Sequence, residues 1–432
     1  MTLFLLLVVA ALVAVGAVGA WIFGGPRERP FDPTTPTRMF VLAYLGFYGV
    51  GSIILLITGE SGGGGPLLVG GGLVAFAAGT WLAARRGGRV QVIEADATVG
   101  RLSPALVAVL AVVGIACLVS IVVQFGLPLL ASDPQASRTG FAGFAFDAFR
   151  WLVPPASLVL LGVAFARDRP RDRRLTWLAT AGLIAMIGVM IELASRALVF
   201  ELAIEALLIA WWAGRRLSRR AWVALAAAGL VVFVGVQLGR ADPDRSFSGA
   251  DDVAGFAFRR TINRVLLIHP RTLEVVATTI PAEEPYFAGA TYVRRVSILL
   301  GAPDRPSLGY WLYGRLFPGQ TGGFAAPGVL GEAWANGGPL LAGILMLVLG
   351  AGAQTAGRLL ARLPSGAADR AFAAIVVVAI ARAYATSLNG LLLTLAAATG
   401  WWLIVRLRVG PPVPEGSAAR TEAVPRGARI RP

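Results

Sequence analysis

Arg260 and Arg264 stand one helical turn apart in the chain's longest polar stretch, Gly239 to Pro327. A guanidinium offers paired donors in a fixed fork, so two of them on one helix face can clamp a phosphate or pyrophosphate. The same spacing also suits a helix lying on a membrane, its arginines reaching lipid head groups. The only histidine, His269, follows five residues on. An imidazole with an ordinary pKa near 6.5 can donate to phosphate or pass a proton, or simply cap a helix end. Arg196 falls between two apolar runs and Arg382 inside another. An arginine at such a depth needs a polar cavity or a partner. Glu192 is the local partner available to Arg196, and Glu201 or Glu205 could serve Arg382. Glu332 and Asn336 are again one turn apart, where a carboxylate could act as general base toward a sugar hydroxyl or instead order the loop. Tyr286, Tyr292 and Trp311 are aromatics of the loop's second half, suited to stack on sugar faces or to anchor the chain at a membrane interface.

The elements that must position these groups are membrane spans. Of 432 residues, 56% are hydrophobic and 15% charged, against about 25% charged in soluble domains. Apolar runs of about 20 residues recur along the whole length. They predict an all-α, polytopic bundle of about eleven spans: 2–23, 39–58, 66–84, 104–124, 150–166, 175–193, 198–213, 221–238, 328–352, 371–388 and 389–407. The first lacks a basic leader and is too long for a signal-peptide core, so it is expected to remain a helix. Residues 1–409 form one integral membrane domain that includes the 239–327 loop. The Pro- and Arg-rich tail, 410–432, reads as disordered and cytoplasmic.

All 39 basic residues are arginine and the net charge is +15. The arginine-dense connectors (26–38, 85–101, 167–174, 215–220, 358–370 and the tail) fall on one side when spans alternate. The others (59–65, 125–149, 194–197, 239–327) fall on the opposite side. The positive-inside rule then places the N-terminus and the long loop outside and the C-terminus in the cytoplasm. A loop of roughly 90 residues between spans is far longer than an ordinary connection and points to function. Within it, 251–269 reads as an amphipathic helix ended by Pro270. Gly62 to Gly65 reads as a flexible turn. One cysteine, Cys117, and one histidine make an intrachain disulfide impossible and a metal site unexpected, and no nucleotide-binding glycine pattern stands out. No cofactor and no nucleic acid are expected.

Three stretches carry a family resemblance: Phe125-Gly126-Leu127-Pro128-Leu129-Leu130 with Arg138 following; Ser195-Arg196 opening a membrane helix; and Pro285-Tyr286-Phe287 through Gly322-Gly323-Phe324 to Gly331-Glu332-Ala333-Trp334-Ala335-Asn336-Gly337-Gly338. In these, and in its large outer loop, the chain resembles the O-antigen polymerases, the Wzy-type oligosaccharide repeat-unit polymerases, and the related O-antigen ligases. The resemblance implies a GT-C-like helical enzyme of the cell's inner membrane that uses neither nucleotide sugar nor metal. It would polymerise undecaprenyl- or other polyprenyl-pyrophosphate-linked repeat units into O-antigen or exopolysaccharide of the cell envelope. Arg196, Arg260, Arg264, Arg138 and Arg382 would hold pyrophosphate. Arg196, His269 and Glu332 would serve catalysis, and Tyr286, Tyr292, Trp311 and Asn336 would meet sugar. Chain-length regulator and flippase proteins would be partners. A ligase-like histidine is usually placed late in the outer loop, whereas His269 comes early. A transporter or flippase of lipid-linked or anionic solutes is the other reading, with Glu192, Glu201, Glu205 and Arg382 serving ion coupling.

Overall fold

The computed structural model describes residues 13, 14, 16, 17, 21, 35–86, 104–127, 144–165, 173–192, 196–213, 218, 227, 229, 235, 249–299, 308–319, 324–363 and 366–406. Arg138, most of the first and eighth expected spans and the 410–432 tail lie outside them. So do the side chains of Glu192 and Arg196. Among the described residues all regular structure is helical. Five helices are long and apolar enough to cross a membrane: Pro36–Ile57, Gly64–Arg86, Leu106–Phe125, Gly328–Ala361 and Leu388–Val405.

In chain order the elements are α1 (Pro36–Ile57, with a π turn at Leu45–Gly49), α2 (Gly64–Arg86), α3 (Pro104–Phe125), α4 (Phe144–Ala164), α5 (Arg173–Glu192) and α6 (Arg196–Trp212). The loop contributes α7 (Ala250–Ile262), a π turn (Asn263–Leu267), α8 (Ile268–Thr279), α9 (Ala290–Leu299) and α10 (Leu308–Leu316). Then come α11 (Gly328–Ala361), α12 (Ala367–Ala381), a 3-10 turn (Arg382–Tyr384) and α13 (Leu388–Arg406).

Two apolar cores meet on α12. One is built from α3, α4, α5, α6 and α13, and takes Ala371, Ala374, Ile375, Val377 and Val378 from α12. The other is built from α1, α2, α8, α11 and α13, and takes Val376, Ala379 and Ile380. A helix with no polar face from residue 371 to residue 381 is what a central position requires. In the second core α2 and α11 cross at Gly79 and Gly350. A Cβ on Gly79 would strike the Leu347 carbonyl, and one on Gly350 the Phe76 carbonyl. Small residues permit this backbone approach, from which membrane helices gain their dispersion contacts.

The ends of the bundle are chemically distinct. At one end Arg358 donates to the carbonyls of Ala83 and Ala84, at 2.7 and 2.9 Å, closing the C-terminus of α2. Arg85 stacks on Trp81 beside it. At the other end lie the α1–α2 and α12–α13 turns and the loop helices, of which α8 rests on α1, α2 and α11.

The loop departs from expectation at Pro270. The helix does not end there; it runs on to Thr279 as α8. The π turn just upstream widens the backbone, and Pro270 falls in the first turn of the new helix, where its missing N–H costs little. The Gly62 region is also more than a flexible turn. Ser61 Oγ and the N–H groups of Gly62 and Gly65 all donate to the carboxylate of Glu274, at 2.8, 3.0 and 2.6 Å. An anion at the N-terminus of α2 satisfies orphan donors and the helix dipole together, and here it pins α8 to α2. Arg271 reinforces the pin by donating to Glu60 and to Asn263, both at 2.5 Å.

Candidate functional site

His269, one turn before that pin, sits against the bundle. Its ring meets Phe47, Tyr48 and Tyr384 edge-on, at centroid distances of 6.0, 6.0 and 5.3 Å. Phe47 stacks on Tyr384 at 4.5 Å. The Tyr48 hydroxyl faces the carbonyls of Tyr384 and Pro327, at 2.6 and 3.1 Å, tying α1 to the ends of α12 and α11. Burial first, and the Arg264 guanidinium second, push the His269 pKa down to about 4. The imidazole is therefore neutral near pH 7. It adds no positive charge to an arginine clamp, and it is a weak base. Its Nδ1 is buried and has no hydrogen-bond partner.

Arg264 thus borders this aromatic cluster, and its guanidinium also lies 5.8 Å from the Phe317 ring. Arg260, one turn earlier, lies over Phe256 at 5.1 Å. Arg382 reaches the same neighbourhood from the bundle, two residues before Tyr384. Its guanidinium is paired with Glu201 of α6. Arg150, from the second turn of α4, meets the same carboxylate at 3.3 Å. Of the two readings left open for Arg382, the ion pair is the one the structure contains. Two adjoining cavities, of about 50 and 20 Å³, share Arg150, Glu201, Glu205 and Thr394 in their walls, and Arg382 lines the smaller. Arg150 was missed in the sequence because it opens its span rather than interrupting it. The cost argument applied to Arg382 applies to it equally.

A second polar cluster joins loop to bundle. The Glu332 carboxylate accepts the Thr291 hydroxyl at 3.1 Å and the Leu388 N–H at 2.7 Å. Asn336 Oδ1 accepts Gly289 N–H at 2.9 Å, while Nδ2 donates to Thr291 Oγ1 and to the Glu332 carbonyl, at 2.6 and 2.7 Å. Asn389 Nδ2 donates to the Tyr292 carbonyl at 2.8 Å. Glu332 therefore does order the loop, but through Thr291 rather than through an arginine, and it also caps α13. The Tyr292 hydroxyl is buried near Glu332 and Asn336. Burial, then the Glu332 charge, raise its pKa well above the usual phenol value. Tyr286 is exposed and its hydroxyl lies over Gly338, where α11 bends (φ 65°).

Glu332, Asn336, Tyr286 and Tyr292 thus come together, and His269, with Arg264 nearby, comes together with Tyr384. Trp311 does neither. It packs with Val276, Ile280 and Leu312 in a small apolar core beneath the loop, edge-on to Phe287. No protein-family model matches the chain, and no match was found among curated proteins or solved structures.

Proposed function

We propose that the chain is a membrane glycosyltransferase acting on polyprenyl-pyrophosphate-linked oligosaccharide at the loop-bearing face of the bilayer. In this reading it has about eleven spans in a GT-C-like arrangement. The loop faces outward from the cytoplasmic membrane, and the arginine-dense end, with the C-terminus, faces the cytoplasm.

One juxtaposition carries the reading. Loop residue His269 lies against Tyr384 with Arg264 close enough to act on its charge, and two residues before Tyr384 Arg382 enters an ion-paired cluster beside a cavity. Cationic groups from the loop and from the bundle therefore border one aromatic patch where apolar helices meet a polar cap. A lipid-linked diphosphate has that same succession of apolar tail, anion and sugar. In the transfer, the bond from the anomeric carbon to pyrophosphate breaks. The acceptor hydroxyl forms the new bond and gives up its proton to water, and the departing charge stays on the diphosphate. Fixed guanidinium groups stabilise that developing charge. Holding the two lipid-linked substrates in register supplies most of the rest. Polymerisation of repeat units is the leading form of the reaction, and ligase-type transfer is a variant at the same site.

The second reading is a transporter or flippase. The Arg150–Glu201–Arg382 pairing inside the bundle favours it, since charged groups at that depth are commonly coupling sites. Purified protein in detergent, given lipid-linked repeat units, separates the two. Chain extension without sealed vesicles supports the transferase. Transport in intact vesicles, with no extension in detergent, sinks it.

A further inference from the structure

Glu205 takes no part in the ion pairs of the arginine cluster, which go to Glu201. It lies one turn below Glu201 on the same face of α6 and is 8% exposed. Among the described residues no hydrogen bond or ion pair reaches it. A bare carboxylate so placed is strongly disfavoured, so it carries a proton unless a cation comes to it.

The surroundings provide both. The larger cavity, about 50 Å³, borders Glu205. At ~10–15 Å³ per molecule it has room for about three to five waters. Pro154 and Pro155 lie in the same wall and, lacking N–H groups, leave the carbonyls of Arg150 and Trp151 without their helical donors. The charged groups facing Glu205 are Arg150 from α4, Arg382 from the turn after α12 and Glu201 from α6 itself. Thr394 of α13 and Met190 of α5 complete the wall without charge. Arg150 is within electrostatic reach of Glu205 and at 3.3 Å from Glu201. One guanidinium thus stands between two carboxylates, while Glu201 has a second partner in Arg382.

We propose that Glu205 is a proton-exchange site inside the bilayer, with Arg150 as the cation that answers its charge. With the proton on, Arg150 pairs with Glu201. When the Glu205 O–H bond breaks, the proton passes to water in the cavity and Arg150 swings one turn deeper to the new carboxylate. Arg382 then holds Glu201 alone. The exchange requires no glycan chemistry and stands whichever reading of the function holds.

Dicyclohexylcarbodiimide tests it. This apolar reagent adds a protonated carboxyl across its C=N bond, the oxygen bonding to carbon and the proton moving to nitrogen. The full chain in lipid nanodiscs is treated between about pH 5 and about pH 9, and its peptides are weighed. The expected adduct is on Glu205 and not on Glu201. Its yield falls about tenfold per pH unit beyond the midpoint of the acid. Infrared difference spectra of wild type against Glu205→Gln give a second, reagent-free reading, in which a carboxylic C=O band is expected and is lost on raising the pH. Absence of that band near pH 6, or an adduct whose yield ignores pH, overturns the proposal.

Discussion

The Glu332 carboxylate accepts the backbone N–H of Leu388 at 2.7 Å, so an acid from the second turn of α11 closes the first turn of α13. This bond and the Thr291 bond account for both of its oxygens. Glu332→Ala leaves those half-buried donors unpaired, and should cost about 1–3 kcal/mol. Glu332→Gln keeps one acceptor oxygen and should melt closer to wild type. Thermal unfolding of the three proteins in one detergent checks this. An alanine variant that melts with wild type would show that the cap contributes nothing. A glutamine variant that is stable yet inactive would restore the general-base role.

Glu201 is the hub of its cluster and the arginines are spokes. Glu201→Ala strands two guanidinium groups, whereas Arg382→Ala leaves Glu201 with Arg150. Breaking a mostly buried pair from the shared side should cost about 3–5 kcal/mol, and removing one spoke clearly less. Denaturation midpoints of the two variants give the order. Equal losses would mean that Arg150 does not hold Glu201 by itself.

His269 predicts a pH dependence with a definite sign. Its pKa is lowered from 6.5 to about 4 in the folded protein, chiefly by burial. The unfolded chain therefore binds the proton first as pH falls. The stability that neutral His269 contributes is complete above about pH 6.5 and is lost as pH falls toward about 4, with a limiting slope of ~1.4 kcal/mol per unit. His269→Phe should flatten that part of the stability profile. A profile as steep as that of wild type would place the titrating group elsewhere.

Glu274 fixes the height of the loop on the bundle. Glu274→Ala removes the common acceptor of Ser61, Gly62 and Gly65. It should free α8 from α2, and limited proteolysis should then cut faster in the exposed turn at Pro281 to Glu283. Unchanged cleavage would leave the aromatic contacts of His269 as the sufficient anchor.

The transferase reading is tested at the loop arginines. Arg260→Ala combined with Arg264→Ala should abolish polymer formation at normal expression, and so should Arg196→Ala. Wild-type polymer from these variants would remove them from the pyrophosphate site. A reporter inserted at Gly301 should read as external, and a cytoplasmic signal there would invert the topology. Activity should also survive chelators, and restoration by an added divalent ion would contradict the metal-free mechanism.

By itself the sequence determined the class and most of the segments. The spans expected at 66–84, 104–124 and 389–407 are α2 (Gly64–Arg86), α3 (Pro104–Phe125) and α13 (Leu388–Arg406). Burial in lipid demands a run of apolar side chains and a backbone that satisfies itself, and both are local properties written in consecutive residues. The loop helix carrying Arg260 and Arg264 was legible for the same reason, through its amphipathic period. Its continuation past Pro270 was not, because that depends on a π turn accommodating the proline. Partnership was decided only by packing. Glu201 and Glu205 stand one turn apart along α6, yet Arg150 and Arg382 arrive from α4 and from the turn after α12 and meet Glu201. Likewise, Glu332 became a helix cap only because α12 and its turn deliver Leu388 beside it. A charge's partner across a bundle is set by which helices touch and at what height, and spacing along one helix carries no record of either.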